Sequence, residues 1–169
     1  MSCNEDRHHV HVLPEDAANS QLADGFLRSL SQSASRQLHV LRVAGGWIKV
    51  LETFKAVHLP EMYGCPKRFM VLLIDFDEKV QVRLKQAWEY VPDHLNDRVF
   101  ILGVRSEPEA LKRAFHKDGR GSYTKIGEAL AEDCRDESYK TWHHALLQHN
   151  AAELERLRRV VRPFLFPKL

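Results

Sequence analysis

The chain predicts an α/β fold: a mostly parallel four-stranded sheet with helices on both faces and a helical C-terminal extension. Three observations carry this. Arg68-Phe69-Met70-Val71-Leu72-Leu73-Ile74 is too short to span a membrane and too apolar for a strand with one face in water, so it reads as a central strand buried on both faces. Three other β-type segments alternate with stretches of helical periodicity, and a βαβαβαβα order favours parallel strands joined by right-handed crossovers. Beyond residue 122 only helical periodicity remains.

The first strand covers residues 9–13 and ends at Pro14-Glu15-Asp16. A helix over 17–31 follows, because Ala18, Leu22, Phe26 and Leu30 recur at i, i+4. Pro14, Glu15 and Asp16 suit its first turn, where an imino nitrogen is harmless and acids complement the helix dipole. The second strand is 38–43, Ala44-Gly45-Gly46 is a turn, and a helix then carries Trp47, Val50, Leu51 and Phe54. Residues 59–67 hold Pro60, Gly64 and Pro66 and read as a loop. After the central strand a helix shows Val80, Leu84, Trp88 and Val91, ended by Pro92. The fourth strand is 99–104. Ser106 is placed to cap a short helix with Glu109 in its first turn and Leu111, Ala114 and Phe115 on its apolar side. Residues 116–122 form a basic, glycine-containing loop. The helical tail carries Ile126, Leu130 and Cys134, then Trp142, Leu146 and His149, then Leu154, Leu157, Val161 and Phe164.

At 169 residues the chain fits one domain, with an α/β core over 1–115 and the loop and helical extension over 116–169. Its 44% apolar and 28% charged residues are ordinary for a globular protein, and a net charge of +2 leaves no chain-wide nucleic-acid footprint. Cys3, Cys65 and Cys134 are odd in number and scattered. They suggest neither a disulfide framework nor a zinc motif, and the expected compartment is the reducing cytoplasm. No apolar stretch approaches the length of a membrane span, and the polar, His-rich N-terminus does not read as a signal peptide. No membrane partner is expected.

Acids cluster at strand ends: Glu15 and Asp16 after the first, Asp75 and Asp77 after the third, Glu107 after the fourth. In a parallel sheet these ends share one edge, where open α/β folds bind ligands. Carboxylates at close range repel unless a cation neutralises them. Oxygen-rich clusters suit Mg²⁺ or Mn²⁺, which polarise phosphoryl groups and activate water. Helix capping alone also places acids at strand ends, and it stands as the plain alternative.

A first strand ending in Glu15 and a later strand ending in Asp75-x-Asp77 resemble the Toprim domain of topoisomerases, primases and overcoming-lysogenization-defect-type nucleases, over residues 10–115. The resemblance implies that Glu15, Asp75 and Asp77 hold Mg²⁺ or Mn²⁺ for phosphodiester hydrolysis, with Glu107 as a further catalytic acid. Nucleic acid is the implied substrate. The implied setting is an effector in a multi-protein defence or repair system, acting with a protein partner or as a homo-oligomer. The chain carries Pro14-Glu15-Asp16 where that family carries Glu-Gly. Substrate-binding candidates are Lys117 and Arg120 on His116-Lys117-Asp118-Gly119-Arg120-Gly121-Ser122, with Arg105 just after the fourth strand.

Other patterns compete. Leu72-Leu73-Ile74-Asp75-Phe76-Asp77 resembles the nucleophile strand of haloacid-dehalogenase-type phosphatases, which carry that motif on their first core strand. Glu15-Asp16 with Asp75 resembles a response-regulator receiver, a non-catalytic metal-binding signalling module. His9-x-His11 alternates with Val10 and Val12, which fits an amphipathic strand with a partly exposed face better than a zinc site. His143, His144 and His149 lack metalloprotease spacing. Arg156, Arg158, Arg159 and Arg162 interleave with Glu153 and Glu155, the mark of a solvated face. Ala44-Gly45-Gly46-Trp47 is a tight βα turn that also offers a helix N-terminus.

Overall fold

The computed structural model describes Cys3 and residues 6–168. Four parallel strands form one sheet: β1 (His9–Pro14), β2 (Leu38–Val40), β3 (Arg68–Leu73) and β4 (Val99–Leu102), in the order β2-β1-β3-β4. Register pairs Val10 with Leu38 and Phe69, and Val71 with Phe100. The order has a consequence for function. The chain passes from β1 outward to β2 on one side, then returns to β3 and proceeds to β4 on the other. The reversal lies between β1 and β3, and such a switch point opens a crevice at the carboxyl ends of its two strands.

Both faces are covered. Val10, Val12, Phe69, Val71, Phe100 and Leu102 pack with α1 (Ala17–Arg28), α6 (Pro108–His116), α7 (Tyr123–Asp136), α8 (Ala151–Val160) and α9 (Arg162–Leu165). Leu13, Met70, Leu72, Ile74, Val99 and Ile101 pack on the other side with α3 (Trp47–Thr53), α4 (Leu59–Tyr63) and α5 (Val80–Trp88). A short α2 (Gln32–Ser35) precedes β2, with Ser31 capping it through the Ala34 N–H. Helices α1 and α7 meet backbone to backbone: a Cβ on Gly127 would lie 2.0 Å from the Leu22 carbonyl oxygen, and one on Gly25 2.1 Å from that of Thr124.

Several expectations need correction. The first strand has no exposed face, because β1 is central: His9 and His11 are 4% and 2% exposed. Arg68 donates from Nε to His9 Nε2 at 3.1 Å and pairs through Nη1 with Glu61 at 3.0 Å. The His11 ring meets those of His9 and His39, and burial pushes its pKa down to about 3. Residues 59–63 form α4 rather than loop. Pro60 sits in its first turn, and the stretch Phe54–His58 widens into a π-helix that joins α3 to α4 without the missing proline N–H.

Ser106 does not cap α6. Pro108 at the helix start forces Glu107 into the extended N-cap position, at φ −142°, ψ 154°. The tail is interrupted too. Glu137 and Tyr139 adopt left-handed φ values of 55° and 53°, and buried Asp133 accepts the N–H groups of Thr141 and Trp142. Trp142 and Leu146 therefore lie on turns, and His149 lies in a single 3₁₀ turn, Gln148–Asn150. Arg156, Arg158, Arg159 and Arg162 pair with Glu153, Glu137 and Glu155. Finally, Cys3 and Cys65 form a disulfide with Cα atoms 5.8 Å apart, against the expectation of unpaired thiols. Among the described residues no helix is long and apolar enough to cross a membrane.

Candidate functional site at the carboxyl edge

The switch point brings together residues from β1, α1 and β3. Backbone bonds seat the chain first. The Glu15 N–H donates to Leu73 O at 2.9 Å, and the Gly45 N–H to Glu15 O at 2.8 Å. The Glu15 carboxylate then accepts the Asp75 N–H at 2.7 Å. Asp16 is the N-cap of α1, accepting the Asn19 N–H at 2.9 Å. The Asn19 side chain is fully buried, and its Nδ2 donates to Asp16 at 3.1 Å and to Asp75 at 2.9 Å. Its Oδ1 is buried with no partner.

This geometry sets the titration. Burial pushes the Asp75 carboxyl up to about 7, opposed by the Asn19 hydrogen bond and reinforced by the charges of Glu15, Asp16 and Glu109. Burial also raises Glu15, although the Asp75 N–H favours its ionised form. Two acids on adjacent strand ends thus hold more negative charge than their surroundings tolerate. A buried amide oxygen faces no donor beside them.

The second aspartate of the motif departs. A strand continued through residue 77 would put Asp75 and Asp77 on one side. Instead Asp77 and Glu78 take consecutive left-handed conformations, φ 48° and 62°. Phe76 stays buried, held by Phe76 N–H to Val104 O at 3.0 Å. The Asp77 side chain, 71% exposed, meets Arg83 Nη2 at 3.5 Å. Among the described residues no group of three or more His, Cys, Asp or Glu side chains is arranged to hold a metal ion.

The remaining sequence candidates lie around or away from this edge. Glu107 occupies the N-cap position of α6 without a side-chain capping bond, exposed and 3.9 Å from Arg113. Arg105 pairs with Glu78 at 3.2 Å. Lys117 and Arg120 sit in the turn beyond α6, and nine helical residues at ~1.5 Å rise carry that turn well over 10 Å along the helix from Glu107. A cavity of about 130 Å³ lies between the sheet and the C-terminal helices, lined by Val10, Val12, Leu22, Val71, Leu157 and Val161 and by none of the acids.

Sequence reasoning missed Asn19, Arg83, Trp47 and Glu109 as parts of the edge. Asn19 follows Asp16 by one helical turn, a spacing that reads as ordinary capping. Arg83 donates through Nη1 to the Asp75 carbonyl and lies over the Trp47 ring, 4.5 Å from its centroid. Comparison of the chain with family models, with curated proteins and with solved structures returns no match.

Proposed function

We propose that the crevice between β1 and β3 is a divalent-cation centre and that the protein is a Mg²⁺- or Mn²⁺-dependent phosphodiester hydrolase acting on nucleic acid. The observation that carries this reading is the meeting of Glu15 and Asp75 at the topological switch point, joined at 2.7 Å and both driven toward protonation by burial. Mg²⁺ is commonly held by one or two carboxylates with water completing the shell, so this pair suffices as protein ligands. The unpartnered Asn19 Oδ1 beside it is a third oxygen of the right chemistry.

When bound, such a cation supplies Lewis-acid polarisation of a phosphoryl oxygen and a lower pKa for water. The chain's own groups do the rest. Glu15 and Asp75 would share the cation, whose charge would hold both carboxylates ionised. Asn19 fixes the Asp75 carboxylate, and Asp16 anchors Asn19. Asp77 joins the set only by leaving Arg83. Conversion of supercoiled plasmid to nicked circle in Mn²⁺ tests the proposal. Wild type should nick, and Glu15→Gln and Asp75→Asn should not. An inactive wild type that still binds Mn²⁺ would refute hydrolysis.

The outward turn of Asp77 favours a second reading. With Glu15-Asp16 on β1 and Asp75 alone on the neighbouring β3, the edge also suits a receiver-like module in which Asp75 accepts a phosphoryl group. Incubation with acetyl phosphate and Mg²⁺ separates the two readings. A mass increase of one phosphoryl group, lost in Asp75→Asn, supports signalling.

A further inference from the structure

We infer that Arg83, held over the Trp47 ring, is the group that binds the substrate phosphate at this edge. The inference rests on the phosphodiester reading and names the residue that would recognise the substrate. An electrostatic problem motivates it. Glu15, Asp16 and Asp75 are tied together through the Asn19 side chain and the Asp75 N–H, so a polyanion needs a fixed positive group there. Arg120 and Lys117 lie past the far end of α6. Arg105 is engaged with Glu78. Arg83 alone of these touches the Asp75 segment itself, through the Asp75 carbonyl.

A guanidinium presents five N–H donors in a rigid fork. In Arg83 one Nη1 bond goes to the Asp75 carbonyl, and Nη2 reaches Asp77 only at 3.5 Å, from a carboxylate that is mostly in water. The fork therefore holds donors that an incoming oxyanion can take. The Trp47 ring prevents the guanidinium from swinging away: its carbon lies 4.5 Å from the ring centroid, within the range of a cation–π contact. Trp47 is itself placed by the turn at Gly45 and Gly46, whose φ values of 94° and 150° suit glycine. The side chain of Arg83 is 13% exposed, so most of its desolvation is already complete before any ligand arrives. A phosphate that docks there displaces Asp77, the weaker anion by geometry, and leaves the carbonyl bond to hold the fork in place.

Binding rather than turnover tests this. Fluorescence anisotropy of a labelled single-stranded oligodeoxynucleotide and its RNA counterpart would be followed across a salt series, with Ca²⁺ in place of Mn²⁺. Calorimetric Mn²⁺ titration and thermal melts would run beside it. Arg83→Gln should weaken binding about tenfold and lower the salt slope by about one, as loss of one phosphate contact does. Arg83→Lys should keep the slope but lose affinity, because it retains the charge and not the fork. Trp47→Leu should fall between. Mn²⁺ should still bind in all three. If wild type binds oligonucleotide and Arg83→Gln and Arg83→Lys, both folded, bind with unchanged affinity and slope, the inference is wrong and the nuclease reading stands. If wild type binds no oligonucleotide with metal present, the phosphodiester reading falls and this inference falls with it.

Discussion

Replacing Asp75 by Asn should stabilise the metal-free protein at alkaline pH. Asp75 titrates near 7 in the folded chain against an ordinary value of 3.8. Its proton is therefore bound more tightly in the native state. Between those pH values the native state carries the proton that the unfolded chain has lost, so stability falls as pH rises. The penalty is absent below about pH 4 and complete above about pH 7, where it reaches on the order of 4 kcal/mol. Asn keeps the oxygen that accepts from Asn19 Nδ2 at 2.9 Å and removes the charge. At pH 8 the variant should gain a few kcal/mol, a rise of roughly 10 °C in Tm for a chain of this size. At pH 4 it should match wild type. Denaturant unfolding of both proteins in chelator, from pH 4 to 8, measures this directly. The difference between them cancels the contributions of every other titrating group. An Asn variant less stable than wild type at pH 8 would show that the charge of Asp75 is satisfied in the fold, and the reading of a carboxylate disfavoured chiefly by burial would fail.

Other outcomes follow from the same structure. His11, buried and pushed down to about 3 chiefly by desolvation, then by Arg68, leaves the native state short of a proton that the unfolded chain binds below its ordinary 6.5. Stability should fall on acidification by about 2 kcal/mol at pH 5, and His11→Leu should lower the proton uptake on unfolding between pH 6 and 5. Gly127→Ala places a methyl 2.0 Å from Leu22 O and should cost about 3 kcal/mol by urea denaturation. Glu78→Gly relieves a left-handed φ of 62° and gives up only an exposed pair with Arg105, so it should gain about 0.5–1 kcal/mol in the same assay.

The fold was largely legible because its signals are local. The apolar run at residues 68–74 and the alternation of strand and helix periodicity specify a parallel sheet with helices on both faces, and the sheet and its two cores agree. What failed depends on long-range contacts. Asp133 breaks the tail by binding N–H groups of residues 141 and 142, and its own neighbourhood in sequence is purely helical. Cys3 and Cys65 pair across 62 residues, beyond any spacing rule. Burial of His9 and His11 follows from β1 being central, a fact of strand order that alternation does not reveal. At the edge, Glu15 and Asp75 were legible as strand-end acids. The turn at Asp77 and Glu78 was not, because Asp and Glu carry no mark of left-handed backbone comparable to glycine. Arg83 and Trp47 meet only once α3 and α5 pack on the same face.

The central question is whether the edge between β1 and β3 holds a divalent cation. Crystals soaked in Mn²⁺ and measured for anomalous scattering at the manganese edge answer this most directly. An anomalous peak should appear bonded to the carboxylates of Glu15 and Asp75, and be absent from crystals of Asp75→Asn. A soak that leaves the crevice without a peak, or places Mn²⁺ elsewhere on the protein, would contradict the divalent-cation reading.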